Sequence, residues 1–200
     1  MKFKLPYLLL GIYIVFFILL GIHPYDRSVW IAEMAPIVLI VLVLTFTYRS
    51  FQFSNFAYIL MSFLIFLHTI GGHYSFERVP FGFVTNLFGF TRNHFDRMSH
   101  FTVGFYAYGI GELLLRNKRT NSKWVLFLFP VFAIFTVAAV YEIMEWIYAA
   151  NAAAEQGTAF LGSQGDIWDA QEDMLSDGLG ALFIMGLFWI FKRKYIRSLN

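Results

Sequence analysis

Long apolar runs separated by short polar segments dominate the chain. A helix needs about 20 mainly apolar residues to cross the hydrocarbon core of a membrane, and six runs approach that length. They cover residues 5–22, 31–48, 56–71, 100–115, 124 to about 150, and 174–191. Glu112 and Asp177 interrupt the fourth and sixth runs, which are therefore the weaker ones. The pattern predicts an all-α, polytopic integral membrane protein with about six transmembrane helices in one bundle.

The amino-acid composition supports the assignment to a membrane. Hydrophobic residues make up 58% of the 200 residues and charged residues only 14%, whereas about a quarter of the residues of a soluble domain are charged. No repeat or linker divides the chain, so residues 1–200 are predicted to form a single transmembrane domain. The absence of cysteine excludes disulfides and thiol chemistry, which leaves His, Asp and Glu as the chemically active candidates.

The positive charges are distributed unequally among the segments between the apolar runs. The amino terminus, the second and fourth loops and the carboxy-terminal tail together hold 11 of the 15 Lys and Arg residues. Positively charged loops tend to stay on the cytoplasmic side of a membrane. We therefore expect both termini in the cytoplasm, which requires an even number of crossings and agrees with six runs.

The acidic residues show the opposite asymmetry. The predicted cytoplasmic loops contain no Asp or Glu, and twelve of the 13 acidic residues fall in outer loops or at outer helix ends, together with four Arg residues. If each of these Arg residues formed one pair, eight carboxyl groups would remain, which must be solvated, protonated or bound to a positive group. We therefore expect a functional site at the outer face.

Pairs of His and acidic residues at this outer face have the spacing that places two side chains on one side of a helix. Such pairs follow the third run and precede the fourth, and acids recur every three or four positions into the sixth run. Nitrogen and oxygen donors together suit Zn, Mn or Mg as a bound divalent metal. The candidate metal ligands are His73, Glu77, Asp96, His100, Asp166, Asp169 and Asp173.

Two alternatives to a metal site remain open, because these pairs lack the H-E-x-x-H signature of metalloproteases. One is a network of internal salt bridges that holds helix ends together. The other is an open polar cavity that binds the phosphate or carboxylate of a substrate head group. The candidate substrate-binding residues are Arg78, Arg92, Arg97 and Asn93. Glu142 and Glu145, near the outer end of the fifth run, are the candidate catalytic bases.

Three local patterns concern packing. Residues 81–90 are aromatic but interrupted by two glycines, which predicts a lid or re-entrant segment at the membrane interface. Ser176 and Gly180 are small residues four apart, which lets the sixth helix approach a neighbour closely. His68 lies in the middle of the third run and is expected to bond to a neighbouring helix.

Four sequence motifs resemble those of a known membrane-protein family. They are HYSFERVP at 73–80, RNHFDRMSHF at 92–101, YEIMEW at 141–146 and FLGSQGDIWDAQEDM at 160–174. Together they look like the motifs of the YjdF-like bacterial inner-membrane proteins, a family of unknown function. The resemblance implies a multi-pass protein of the bacterial inner (cytoplasmic) membrane and implies no reaction.

Three classes of function follow as hypotheses. The first is a metal-dependent hydrolase or transferase acting on a lipid-linked or envelope substrate. The second is a transporter or ion-binding protein, for which Glu112 would have to connect the inner side with the outer acids. The third is a structural or assembly factor, which needs only the salt bridges. The lipid bilayer is the expected partner in every case, no nucleic-acid partner is expected, and the oligomeric state is left open.

Overall fold

The structure, a computed structural model, describes residues 4–152, 154–161, 163–197 and 199, without the side chains of residues 155, 156, 158 and 159. Within these ranges the chain contains no strand, and one 3-10 turn at Phe76–Arg78 accompanies the α-helices. The all-α prediction is therefore confirmed for the part of the chain described. The helices are α1 (Leu5–Gly21), α2 (Arg27–Thr47), α3 (Asn55–Tyr74), α4 (Gly82–Phe88), α5 (Phe95–Val103), α6 (Tyr106–Arg116), α7 (Lys123–Asn151), α8 (Ala154–Leu161) and α9 (Asp169–Arg197).

Four of these helices, α2, α3, α7 and α9, are long and apolar enough to cross a membrane. Helix α1 is apolar but has 17 residues. The fourth predicted span, at residues 100–115, is divided between α5 and α6, which have 9 and 11 residues. By length and composition alone, the described residues therefore contain four candidate spans rather than six.

Several helices extend beyond the apolar runs because polar side chains stabilise their first turns. Helix α2 begins at Arg27, where the Asp26 carboxylate accepts hydrogen bonds from two backbone N–H groups. Ser54 and Ser122 cap α3 and α7 in the same way. Helix α9 begins at Asp169, ahead of its apolar run, because the acids in its first turns pair with Arg inside the protein.

The backbones of α5 and α9 touch each other at a pair of glycines. Gly104 and Phe105 keep right-handed helical dihedral angles, so α6 continues from α5 through a short turn. A Cβ atom on Gly104 would overlap the backbone of Gly180, and a Cβ atom on Gly180 would overlap the carbonyl oxygen of Phe101. The close approach predicted for Gly180 is confirmed, and only glycine allows it.

Helices α3 and α9 connect most of the remaining elements. Helix α9 contacts α5, α6 and α7, and α3 contacts α1, α2, α5 and α6. The larger apolar cluster joins α3, α6, α7 and α9 around Met185 and Phe188, and a second cluster joins α1, α2 and α3 around Trp30 and Leu64. These two clusters occupy the interior and leave the polar groups at the ends of the helices.

The two ends of the bundle differ in charge. At one end Lys192 lies 3.1 Å from the Glu112 carboxylate, Arg116 donates to the carbonyl oxygen of Gln52 at 2.5 Å, and Lys4 lines a small pocket together with Gln52. We call this the basic end. At the opposite end α5 and α9 begin and α7 ends, and we call this the acidic end because the acids of α5, α7 and α9 gather there.

The aromatic segment between α3 and α5 forms the short helix α4, whose apolar side chains are exposed. Phe83 is 80% exposed and Leu87 65% exposed. Gly89 ends the helix with a φ angle of 66°, a conformation that favours glycine. Exposed aromatic and aliphatic side chains suit a membrane interface, which is where the sequence predicts residues 81–90.

Replacing Gly180 with Leu is expected to destabilise the protein, because the new side chain would collide with the Phe101 backbone rather than with a movable side chain. Overpacking costs about 1 to 3 kcal/mol in soluble cores, and we expect the upper part of that range. Gly186→Leu is the matched control, since no described atom lies within 4 Å of a Cβ at that position of α9. Thermal unfolding in detergent measures both variants, and equal melting temperatures would contradict the backbone contact.

Candidate functional site

Asn93 joins three of the four sequence motifs at the acidic end. Its side-chain NH2 group donates to the carbonyl oxygens of Glu77 and Val79, at 3.1 and 2.8 Å. Its backbone exchanges two hydrogen bonds of 2.9 Å with the side-chain amide of Gln164. Its side-chain oxygen accepts from the N–H of Phe95 at 3.0 Å, at the start of α5. Asn93, a candidate for substrate binding, thus uses its polar atoms to hold the connecting loops together.

His100, Asp96 and Asp173 bring three potential metal-ligand atoms together, and we call them the candidate triad. His100 Nε2 lies 3.6 Å from Asp96 Oδ1 and 3.7 Å from Asp173 Oδ1. One ligand atom from each residue lies within 4.8 Å of the others. Asp96 and His100 are one turn apart on α5, Asp173 belongs to α9, and all three are buried. Among the described residues, this is the group of His and acidic side chains that meets the spacing for a metal ion.

Asp177 orients the imidazole ring of His100. The Nδ1 atom lies 3.3 Å from each carboxylate oxygen of Asp177. An ionised Asp177 carboxylate can only accept a hydrogen bond, and the ring proton then lies on Nδ1. In the neutral ring, Nε2 then has a free lone pair on the side of Asp96 and Asp173. A carboxylate behind the ring is the usual support of a metal-binding histidine.

The separations around His100 Nε2 suit a divalent cation. Distances of 3.6 and 3.7 Å to the two carboxylates exceed those of hydrogen bonds. Two ligands at 2.1 to 2.2 Å from a tetrahedral zinc ion lie roughly 3.4 to 3.6 Å apart. The two separations from His100 Nε2 therefore match the spacing of metal ligands to within a few tenths of an ångström, and all three ligand atoms lie within 4.8 Å of one another.

Arg92 and Arg97, which we call the arginine cluster, cover the triad on the side of the loops. Arg92 lies 2.9 Å from Asp166 and 2.9 Å from Asp169. Arg97 lies 2.7 Å from Asp169 and also contacts the Asp173 carboxylate. Asp166 and Asp169, candidate metal ligands in the sequence, are therefore paired with Arg. The salt-bridge network considered from the sequence is present, and through Asp173 it adjoins the triad.

The arginine cluster makes this end of the protein closed rather than open. The side chains of Arg92 and Arg97 are only 13% and 11% exposed, and the triad beside them is buried. An open polar cavity was one of the alternatives that the sequence left open. At Arg92 and Arg97 the guanidinium groups are instead packed against carboxylates, because carboxylates removed from water require positive partners close by. Among the described residues, these two Arg side chains are therefore largely enclosed by their acidic partners.

The arginine cluster also affects two titratable groups in the connecting loops. Partial burial, and then the charges of Arg92 and Arg97, lower the pKa of His94 from its usual value, so its ring is uncharged at neutral pH. The backbone N–H of Trp168 is the main cause that lowers the pKa of Asp166, to which the nearby Arg side chains add. Asp166 is thus ionised at neutral pH, as its ion pair requires.

His73, Glu77 and Arg78 have other contacts and do not belong to the triad. His73 Nδ1 lies 2.7 Å from the carbonyl oxygen of Leu20. Glu77 pairs with its neighbour Arg78 at 3.2 Å, and the Arg78 guanidinium lies 4.3 Å above the Tyr25 ring. The structure therefore separates these three candidates from Asp96, His100 and Asp173.

Glu142 and Glu145 approach the same cluster from α7. Glu145 is buried and Glu142 half-buried. The Oε1 atom of Glu142 is buried and has no hydrogen-bond partner among the described residues. Both carboxylates interact electrostatically with Asp96 and His100. The two candidate catalytic bases therefore lie in the surroundings of the triad.

A second buried polar group adjoins the triad and includes Glu33, which the sequence analysis did not select. His68 Nε2 lies 2.9 Å from Glu33 Oε2, and the Tyr141 hydroxyl donates to the same oxygen at 3.0 Å. The Tyr141 ring centre is 6.3 Å from that of His100. The interhelical contact expected for His68 is confirmed. The sequence did contain an indication of Glu33, because it is a single acid within an apolar run. Such an acid is rare unless it has a function or a partner.

Acids outnumber their positive partners in this part of the molecule. Among the described residues, Arg92, Arg97, His68 and His100 are the basic side chains that pair with the buried acids. Even with both His residues protonated, four positive charges cannot balance seven carboxylates. Protonation or an additional cation must therefore neutralise the remainder. The seven carboxyl groups, buried or half-buried, are Glu33, Asp96, Glu142, Glu145, Asp169, Asp173 and Asp177.

Comparisons with known proteins agree with a membrane location. The sequence matches the family described as "Predicted membrane protein (DUF2238)" over residues 5–194. It is 38% identical over 169 residues to "Inner membrane protein YjdF" of Escherichia coli (strain K12), a match that covers 81% of this chain and 78% of that relative. No solved structure matches. The resemblance seen in the four motifs is thereby confirmed.

Removing the charge of Arg97 is expected to destabilise the fold strongly, because Asp169 and Asp173 would lose a buried positive partner. Breaking a buried ion pair on one side typically costs about 3 to 5 kcal/mol. We expect a loss of this size for Arg97→Gln. Unfolding by sodium dodecyl sulfate in mixed micelles measures the change in stability.

The control for this experiment is Arg78→Gln. Arg78 pairs with Glu77 at the surface, with its side chain 51% exposed, and exposed pairs contribute about 0 to 1 kcal/mol. If Arg97→Gln unfolds no more readily than Arg78→Gln, the arginine cluster does not stabilise the acidic end.

Proposed function

The chain belongs to the DUF2238 family of predicted membrane proteins, and we propose that Asp96, His100 and Asp173 form a divalent-metal site in this inner-membrane protein. One observation carries the proposal. It is the convergence of an imidazole nitrogen and two carboxylates within 4.8 Å of one another. Side chains that only stabilised the fold would be expected to form direct hydrogen bonds. The separations of 3.6 and 3.7 Å instead suit atoms that share a metal ion.

The excess of buried acid supports a cation at this position. The arginine cluster accounts for the acids at the start of α9, but Asp96 and Asp177 have no Arg or Lys partner among the described residues. A salt-bridge network by itself, as expected for an assembly factor, thus leaves the deeper acids unexplained. A divalent ion among Asp96, His100 and Asp173 would supply the missing charge where it is needed.

The donor set favours Zn or Mn over Mg. One imidazole nitrogen and carboxylate oxygens suit zinc and other transition metals, whereas Mg prefers oxygen ligands and retains several waters. Glu142 is the proposed source of a further oxygen, because its Oε1 atom is buried and unpartnered and its charge interacts with all three triad residues. With Glu142 the site would offer four protein donors.

The same arrangement suits the hydrolytic or transfer chemistry suggested by the sequence. A bound divalent metal lowers the pKa of a water ligand and polarises phosphate groups. If Glu142 binds the metal, Glu145 is the proposed general base that accepts a proton; if Glu142 does not bind the metal, either carboxylate could take that role. This chemistry is part of the proposal and rests on the metal site.

A transport pathway has less support. Glu112, the acid that would have to connect the inner side with the acidic end, is paired with Lys192 at 3.1 Å and accepts from the Ser54 N–H at 2.9 Å. Glu112 lies twelve positions after His100 along α5 and α6, about 18 Å at 1.5 Å per helical residue. Around that stretch lie the apolar side chains of the larger core cluster.

We also propose six membrane crossings with both termini in the cytoplasm. Four crossings would be the candidate spans. Helix α1 would be the fifth, and α5 with α6, which continue one another through Gly104, would together be the sixth. The separation of a basic end from an acidic end supports the orientation, because basic segments remain cytoplasmic. The acidic end would then face the periplasm.

The metal site is tested by adding Mn²⁺, Zn²⁺ or Mg²⁺ to purified, chelator-treated protein. At 100 times its dissociation constant, a cation adds about 2.7 kcal/mol of stability, or roughly 5 to 10 °C in melting temperature. We expect this shift with Mn²⁺ or Zn²⁺, and we expect His100→Ala and Asp173→Asn to abolish it. Asp177→Asn should weaken metal binding by about 10- to 100-fold, because it supports the His100 ring.

Glu172→Gln is the matched control for these variants. Glu172 is exposed and contacts Arg97 at 3.1 Å without belonging to the triad, so its replacement should leave metal binding unchanged. Wild-type protein that retains no metal in elemental analysis and shows no shift with any of the three ions would refute the site.

The topology is tested with reporters fused to the carboxy terminus after Asn200. A reporter active only in the cytoplasm should give full signal, and one active only in the periplasm should give none, because the basic tail resists translocation. A periplasmic reporter inserted between Phe90 and Arg92 provides the opposite control. Periplasmic activity at the carboxy terminus of correctly inserted protein would reverse the orientation.

A further inference from the structure

A groove between α1, α2 and α3 lies at the basic end, far from the candidate triad. It encloses a volume of about 560 Å³, within the range of roughly 300 to 1,000 Å³ typical of ligand sites. From Pro6 to Tyr13 the groove follows α1 for eight residues, a rise of about 10 Å along the helix axis. Its size and depth suit part of a hydrocarbon chain.

The wall of the groove is mainly apolar. Leu9, Leu10, Leu44 and Ile65 line it together with several aromatic rings. Phe46, one of those rings, is 76% exposed, so one wall of the groove reaches the outer surface of the helices. An acyl chain is the ligand whose chemistry matches such a wall.

The mouth of the groove is polar and positively charged. Arg49 lines the groove itself, and Lys4 lines a smaller pocket of about 190 Å³ that shares Tyr48 and Tyr58 with it. Neither cation forms an ion pair with a described residue, and no acidic residue lines either pocket. The Tyr58 hydroxyl lies near the backbone of Phe53 but makes no well-aligned hydrogen bond among the described residues.

We propose that this groove binds an anionic phospholipid of the cytoplasmic leaflet, with an acyl chain along α1 and the phosphate held by Lys4 and Arg49. Basic pockets between membrane helices on the cytoplasmic side are a known setting for anionic head groups. Two cations that have no acidic partner among the described residues favour an anionic lipid over a zwitterionic lipid or an apolar helix as the occupant. The Tyr58 hydroxyl provides a donor at the boundary between chain and head group.

This lipid site is independent of the metal site. Lys4 and Arg49 lie at the basic end, whereas Asp96, His100 and Asp173 lie at the acidic end. The assignment to the cytoplasmic leaflet rests on the proposed orientation. Lipid binding measured in detergent does not depend on that orientation. Failure of one proposal therefore leaves the other intact.

The test is native mass spectrometry of the full chain in detergent, titrated with phosphatidylglycerol and with phosphatidylethanolamine of identical acyl chains. We expect the anionic lipid to bind more tightly. Arg49→Gln and Lys4→Gln should each weaken its binding roughly fivefold, and the double variant roughly 25-fold. Arg119→Gln is the matched control, because Arg119 is an exposed cation that does not line either pocket.

A second pair of variants tests the position of the acyl chain. Thr45 lines the groove and Leu42 lies on the same helix outside it, and both are exposed. Thr45→Trp should abolish lipid binding by filling the groove, while Leu42→Trp should leave it unchanged. Equal binding of the two lipids, or full competition by glycerol phosphate without acyl chains, would overturn the proposal. The proposal would also be overturned if the lipid-free protein formed a dimer and Thr45→Trp disrupted that dimer.

Discussion

The backbone contact between α5 and α9 is the constraint on which the acidic end depends. Gly104 and Gly180 bring the two helices so close that no side chain fits between them. Above this contact, His100 on α5 comes within reach of Asp173 and Asp177 on α9. A larger side chain at either glycine would separate the helices, and the imidazole and carboxylate groups could not then surround a shared point.

The buried charges at the acidic end make opposing contributions to stability. Each carboxylate removed from water costs several kcal/mol unless a positive group compensates it. Arg92 and Arg97 provide that compensation for the acids at the start of α9, but the deeper Asp96 and Asp177 lie beyond their contacts. A metal ion would resolve the imbalance. The same desolvation that disfavours free carboxylates therefore favours either their protonation or the proposed divalent cation among them.

The two ends of the bundle use their charges in different ways. At the acidic end, oppositely charged groups are buried together and hold α5 and the loop before it against the start of α9. At the basic end, Lys4 and Arg49 are exposed beside an apolar groove and form no ion pair with a described residue, while Glu112 is neutralised by Lys192. Burial at one end suits a tightly held ion, and exposure at the other suits contact with lipid head groups.

The sequence by itself determined the helical membrane class and the family, because long apolar runs and four ordered motifs are local features. It also indicated the spacing of Asp96 and His100, since residues four apart share a helix face. Only the tertiary structure decided that Asp173 joins them while His73 does not, and that Arg97 covers the site. Such choices depend on how separate helices pack, and side-chain spacing along one chain carries no information about distances between helices.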